Sequence, residues 1–441
     1  MSAAKPMALL PPDHPERLAL ADEVHARPPE PLETPSRATY VAVLVEPDER
    51  AGELLHLAEL CAAHGAKGPV EGATHFSAAL GPLRLKWERH GEFSGYTFFS
   101  AGRSPEPFSE PPTTLLPDGW LAAAPGVTVV AVHAKLVPSG ETFPDAALLA
   151  RHFDGNIVVG AGIGDGAGLA FTDFRIHADG CARFLVLDRG LTPRQAGRML
   201  QRLFEIEAYR MMALLALPIA RRQSARIVGI ERSLAALTAD IAQEQAGNHA
   251  GNDEALLQQL TRLAAEVESG LAASQFRFGA CRAYFELVTR RIAELRETRL
   301  DGVQTIEEFM ARRFTPAVAT CATVSQRLHD LSERVAQASA LLSTRVEIAR
   351  ERQNQSLLSS MDRRARLQLR LQQTVEGLSV AAIVYYVAGL AGYGAKALKA
   401  AGMHIEPDVA VGVVIPVVAV LVMLALRRAR RGAAGAEVSN D

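Results

Sequence analysis

The chain has 441 residues, 48% of them hydrophobic, and its 47 basic and 49 acidic residues leave a net charge of −2. That length exceeds one ordinary domain and implies two or three structural units. The balanced charge excludes a global field of the kind that draws a protein to nucleic acid or acidic ligands. Aromatic residues are only 6%, and the abundance of Ala, Leu and Arg favours helix.

Cys61, Cys181, Cys281 and Cys321 are scattered and form no C-x-x-C pair, so they read as isolated reduced thiols rather than a zinc or redox site. Met1 to Leu10 is short and broken by Pro11 and Pro12, which does not fit a signal peptide.

Residues 1–190 predict an α+β domain with a largely antiparallel or mixed sheet. Pro15 to Arg27 reads as a short helix, and Arg37 to Glu46, β-branched and apolar, as a strand. Asp48 to His64 is amphipathic helix. Strands are expected at 73–80, 83–90, 94–100 and 127–136. Asn156 to Asp188 reads as a three-strand meander with turns at Gly164-Asp165-Gly166 and Ala178-Asp179-Gly180, since Asp-Gly is a strong hairpin signal.

Three groups in this region carry polar side chains of interest. His14, Arg17, Glu23, His25 and Arg27 fall in HPERLALADEVHARP and are ligand candidates. On a helix, however, Glu23 and His25 point to different sides. Glu88, His90 and Glu92 in KWERHGEF would share a face if the strand ran through Gly91, a weak candidate for a divalent metal. A solvated strand face, with Trp87 packed on the other side, explains the same pattern. Asp173, Arg175 and His177 alternate and suggest cross-strand ion pairs. The glycine run Gly160 to Gly166 lacks the Lys-Ser/Thr ending and following helix of a phosphate loop, and a tight hairpin accounts for it. No Ser-His-Asp, Cys-His or paired-carboxylate set is legible. The reading therefore leans away from an enzyme without excluding one, and assigns no catalytic residue and no cofactor.

Residues 191–377 predict a helical bundle and coiled-coil stalk. Thr192-Pro193 starts a helix to about Leu217, and a second runs from Ile219 to Gln245. A break at 247–252 precedes a third, from Asp253 to Arg299. Asp301-Gly302 turns the chain, and Thr305-x-x-Glu308 is a capping box. The fourth helix has a heptad seam at Leu328, Leu331, Val335, Ala338 and Leu342. No proline or glycine follows Pro316 until Gly377, so this helix is expected to run into the membrane. Its Arg-rich stretch between Arg345 and Val375 is suited equally to anionic headgroups and to solvent.

Leu378 to Lys396 and Val409 to Leu426 are apolar runs with no charge before their ends. Each is about 18 residues, a helix of ~27 Å against a bilayer core of ~30 Å. Together they form a transmembrane hairpin over 378–431, followed by a short tail at 432–441. Arg363, Arg364, Arg366 and Arg370 precede the hairpin, and Arg427, Arg428, Arg430 and Arg431 follow it. Both chain ends are therefore expected in the cytoplasm. Gly389, Gly392 and Gly394, beside Tyr393, permit close helix packing. They point to a homo-oligomer assembled through stalk and spans, with lipid as its other partner.

HPERLALADEVHARP, KWERHGEFSGYTFF and the two spans resemble a bacterial family of uncharacterised membrane-anchored proteins (domain of unknown function 3422) over nearly the whole chain. The resemblance implies a bacterial inner-membrane protein and supplies no activity. The element order also resembles the CorA class of magnesium channels. Gly394-Ala395-Lys396 stands where that class has Gly-Met-Asn, and Lys396 would repel a divalent cation. The expected role is a self-associating anchored scaffold or regulator. The alternatives are a CorA-like ion pathway and a ligand sensor or enzyme built on the N-terminal domain.

Overall fold

The structure, a computed structural model, describes residues 11–18, 20–21, 28–104, 106, 108–140, 145–246, 253–402 and 406–437. They form two compact units. The first comprises residues 1–248 with 255–339, and the second 249–254 with 340–441. The sheet and the helices that follow it to Ser339 thus belong to one unit, where the sequence suggested a boundary near residue 190.

The first unit is built on eight strands: β1 (Ser36–Leu44), β2 (His75–Leu80), β3 (Leu83–Arg89), β4 (Phe93–Ala101), β5 (Val127–Pro138), β6 (Val159–Ile163), β7 (Gly168–Thr172) and β8 (Ala182–Asp188). They make a single sheet in the order β2-β3-β4-β1-β5-β8-β7-β6. Every neighbouring pair is antiparallel except β5 with β8. That parallel step joins the expected meander to the N-terminal strands.

Side-chain alternation gives the sheet two different faces. On one, Val41, Val43, Leu83, Leu85, Trp87, Tyr96 and Phe98 form a core. Helix α1 (Arg50–Ala63) closes it with Leu57, Leu60 and Cys61, and Leu116 and Trp120 close its edge. Farther along this face, α2 (Ala146–His152) supplies Leu149 to a second cluster with Phe171, Leu185 and Leu187.

The opposite face is covered by α3 (Pro193–Leu214). Thr192 and Gln195 form a capping box at its start, and twelve of its residues are buried. Its Phe204 ring stacks on Tyr40 of β1 at 5.1 Å. An aromatic pair of this kind adds about 0.5–1.5 kcal/mol beyond the area it buries. Glu30 and Pro31 cross this helix, and the Leu32 amide donates to the Pro193 carbonyl at 2.9 Å.

The glycine run packs rather than binds. Gly164, Asp165 and Gly166 all have positive φ and make the β6–β7 turn. Gly162 exchanges two 2.9 Å backbone bonds with Thr298, and a Cβ there would lie 2.1 Å from the Thr298 Oγ1. The segment after the third long helix is thereby stitched to the sheet edge.

Helix α4 (Ala216–Ala246), α5 (Asp253–Leu295), α6 (Ile306–Arg313) and α7 (Thr315–Ala400) complete the helical part. The Thr305–Glu308 capping box opens α6. α6 ends at Arg313, and α7 resumes directly after Phe314. Leu328, Leu331 and Val335 of the heptad seam are about 1% exposed. The helices of the same chain cover them: Arg327 pairs with Glu231 of α4 at 2.8 Å, Ser332 donates to Glu268 of α5 at 2.6 Å, and Leu328 approaches Gly270 of α5. An intrachain bundle fills this part of the seam, so no second copy is needed to bury it.

In the second unit, the rest of α7 and α8 (Pro407–Glu437) include two stretches long and apolar enough to cross a membrane, and both are almost wholly exposed. Asp253 holds Arg345 at 3.2 Å, and Lys399 pairs with Glu406 at 2.8 Å across the loop.

Candidate functional site

The β3–β4 hairpin separates the candidate metal ligands. β3 ends at Arg89, and the His90 amide donates to the Phe93 carbonyl at 2.8 Å, closing the turn at Gly91. The strand therefore does not continue to Glu92. Glu88 pairs with Lys86 at 3.0 Å, and His90 stacks on Phe93 at 4.3 Å. Glu92 is held by both guanidinium nitrogens of Arg277, at 2.5 and 3.0 Å. Among the described residues no group of three His, Cys, Asp or Glu side chains could hold a metal ion. Glu88 and His90 do line a small pocket under α3 with Tyr40, Lys86, Gln201 and Glu205. Its free volume is about 20 Å³, room for a water molecule rather than a substrate.

Of the five N-terminal candidates, His14 and Arg17 are among the described residues. The Nδ1 of His14 accepts from the Glu16 amide at 3.2 Å, and Arg17 pairs with Asp13, all at the surface. Glu23, His25 and Arg27 lie outside the described residues.

Asp173, Arg175 and His177 follow β7 in an irregular segment instead of alternating along a strand. The His177 ring lies between two carboxylates, 2.8 Å from Asp154 and 3.0 Å from Asp173. Asn156 donates to Asp173 at 2.9 Å. Hydrogen bonding from His177, reinforced by Arg183, holds the Asp154 carboxyl below the usual carboxylate range despite some desolvation. The Cys181 thiol on this loop is pushed up to about 12 by burial, so it stays protonated. Without a thiolate the cluster works as a clasp between the segments around 154 and 177.

A larger cavity lies elsewhere. About 480 Å³ of free space opens on the α1–α2 side of the sheet, lined by Arg103, Ser104, Lys135, Asp145 and His152 together with Val137, Leu148, Leu185 and Leu187. Strand register explains the placement: Arg37, Lys135 and Leu185 are direct neighbours across β1, β5 and β8. Lys135 is 9% exposed and has no hydrogen bond or ion pair among the described residues. Burial holds its ammonium below the usual lysine range. Arg151, Arg103 and Arg37 push the same way, and Glu106 opposes them. The Nδ1 of His152 meets the Leu148 carbonyl at 2.8 Å, and burial lowers this ring too. Asp145, the only carboxylate among the described lining residues, caps α2 by accepting from the Leu148 amide at 2.7 Å. The sequence offered one sign of this site, His133 and Lys135 on one side of an otherwise apolar strand.

In the second unit Gly392 faces α8, where a Cβ would lie 3.0 Å from Val411, and Ala388 and Ala395 are buried beside it. Gly389 and Gly394 face open space. The Lys396 Nζ sits 6.0 Å over the exposed Tyr393 ring. Arg427 and Arg428 are exposed; the side chains of Arg430 and Arg431 lie outside the described residues.

The family described as a protein of unknown function (DUF3422) matches residues 12–433. The chain belongs to this family. No curated protein and no solved structure matches this DUF3422 chain, and the resemblance to CorA-class channels is not shown.

Proposed function

We propose that the chain is a membrane-anchored, non-catalytic regulator or scaffold. In this reading the α7–α8 hairpin sits in the bilayer, and the sheet-containing unit lies on the arginine-flanked, cytoplasmic side. The observation that carries the reading is the bare apolar surface of the hairpin. Ile383, Leu390, Val413, Val417, Leu421 and Leu424 are each more than 40% exposed. Burying one such side chain is worth about 1.5–3 kcal/mol, and a contiguous surface of this size marks a lipid or protein contact. Ala388, Gly392 and Ala395 supply the small-residue seam that lets two helices pack in lipid. Arginines at both outer ends favour the cytoplasmic side for both.

Full-length protein should stay in the membrane pellet after alkaline carbonate and leave it only with detergent. Replacing Ile383 and Val417 by arginine adds about 2.5–3.5 kcal/mol at each mid-span position and should move much of the protein to the soluble fraction. Release of the wild type by carbonate alone would sink the reading.

A further inference from the structure

We propose that the cavity around Lys135 is a binding site for a small organic anion, a phosphate or carboxylate group on a compact apolar body. The inference concerns the first unit alone and does not depend on membrane insertion.

The lining has two parts. Lys135 and Arg103 bring nitrogen donors to one cavity, with the Ser104 hydroxyl and the His152 ring beside them, while Val137, Leu148 and Leu187 offer apolar wall. A site with an apolar body and a few convergent polar groups is the usual form of a small-molecule pocket, and about 480 Å³ falls within the usual size.

The charges around Lys135 are unbalanced. Arg37 faces it from β1, Arg103 and Glu106 from the segment after β4, and Arg151 and His152 from α2. Arg151 and Glu106 satisfy each other at 2.5 Å, and Arg37 pairs with Glu110 at 3.5 Å. Asp145 is committed to its helix cap. Lys135 and Arg103 are left without a carboxylate among the described residues. Burying an ammonium without a counter-charge is costly, and lysines that reach the interior are ordinarily paired.

The choice of residue adds to this. Only six of the 47 basic residues are lysines, and arginine makes most of the ion pairs. A structural pair here would suit arginine equally well. Lysine instead presents a compact ammonium that can change its protonation state, which suits a ligand that comes and goes. A bound anion favours the charged form, so binding should raise the lysine pKa and take up a proton wherever the free ammonium is partly deprotonated.

Calorimetric titration of the full-length protein in detergent with phenyl phosphate, benzoate and neutral benzyl alcohol tests the proposal. At least one anion should bind, and which of the two does so names the headgroup. Benzyl alcohol should not bind comparably. Lys135→Met should weaken the anion about tenfold or more, the loss of one charged hydrogen bond. Affinity should fall as pH rises through the lowered lysine pKa. Arg103 is exposed, so Arg103→Gln leaves the fold intact and should weaken binding severalfold even if Lys135→Met proves too unstable to assay. Benzyl alcohol binding as tightly as the anions, unchanged affinity in Lys135→Met or in Arg103→Gln, or no binding of either anion at millimolar concentration would overturn the proposal.

Discussion

Replacing Glu53 by leucine is expected to cost about 3–5 kcal/mol, the penalty for breaking a buried polar cluster by removing its charged member. Glu53 is fully buried in the first turn of α1. One of its oxygens accepts from the Trp87 indole at 2.9 Å and the Tyr96 hydroxyl at 2.8 Å; the other lies 3.8 Å from Arg89. Leucine fills a similar volume but leaves both donors unsatisfied in the core, and burial already pushes the Tyr96 hydroxyl far above its usual range. Glu53→Gln keeps an oxygen for both donors and loses only the charge facing Arg89, so its cost should be well under half as large. Thermal melting of the two variants in detergent, followed by near-ultraviolet circular dichroism of the tryptophans, separates these outcomes. Equal melting temperatures would mean that the carboxylate is incidental.

The second large effect is expected at Gly197. It lies in the second turn of α3, inside the helix, where glycine is about 1 kcal/mol worse than alanine, so helix propensity alone predicts that Gly197→Ala stabilises. The packing predicts the opposite. An alanine Cβ would fall 1.7 Å from the Glu30 carbonyl oxygen and 2.8 Å from its carbon. Those are backbone atoms of the strap that the Leu32–Pro193 bond fastens to α3. Either the strap detaches or the helix shifts, and overpacking of this kind costs about 1–3 kcal/mol. Proteolysis around residue 30 should accelerate in the variant, with a lower melting temperature. A raised melting temperature would show that the strap is not held there.

The strands were legible because short runs of apolar, aromatic or β-branched residues lie between turn residues. The β6–β7 turn at Gly164-Asp165-Gly166 stands where the sequence placed it. Thr192 and Thr305 announced their helices through local hydrogen bonds that need no tertiary context. The long-range partners were not legible. Glu53 reads as an ordinary surface acid of an amphipathic helix until Trp87 and Tyr96, 34 and 43 residues away, are brought beneath it. The seam at Leu328, Leu331 and Val335 has the right period for a coiled coil, but periodicity says nothing of whether the partner lies in another chain or in α4 and α5. Glu92 looked like a third ligand because strand alternation was extended through Gly91, where the hairpin turns and hands Glu92 to Arg277. The cavity at Lys135 escaped because β8 joins β5 in parallel and brings Leu185 and Leu187 from some 50 residues downstream.

The proposed membrane anchoring by the hairpin can be tested most directly by its sidedness. All four native cysteines are buried, so background labelling with a membrane-impermeant maleimide should be low. Single cysteines replace Ala401 in the exposed turn between the spans and Glu351 on the exposed part of α7. In intact cells from which any outer envelope has been removed, Ala401→Cys should label and Glu351→Cys should not; lysis should expose both. Labelling of Glu351→Cys in intact cells, or protection of Ala401→Cys, would contradict the hairpin and its orientation.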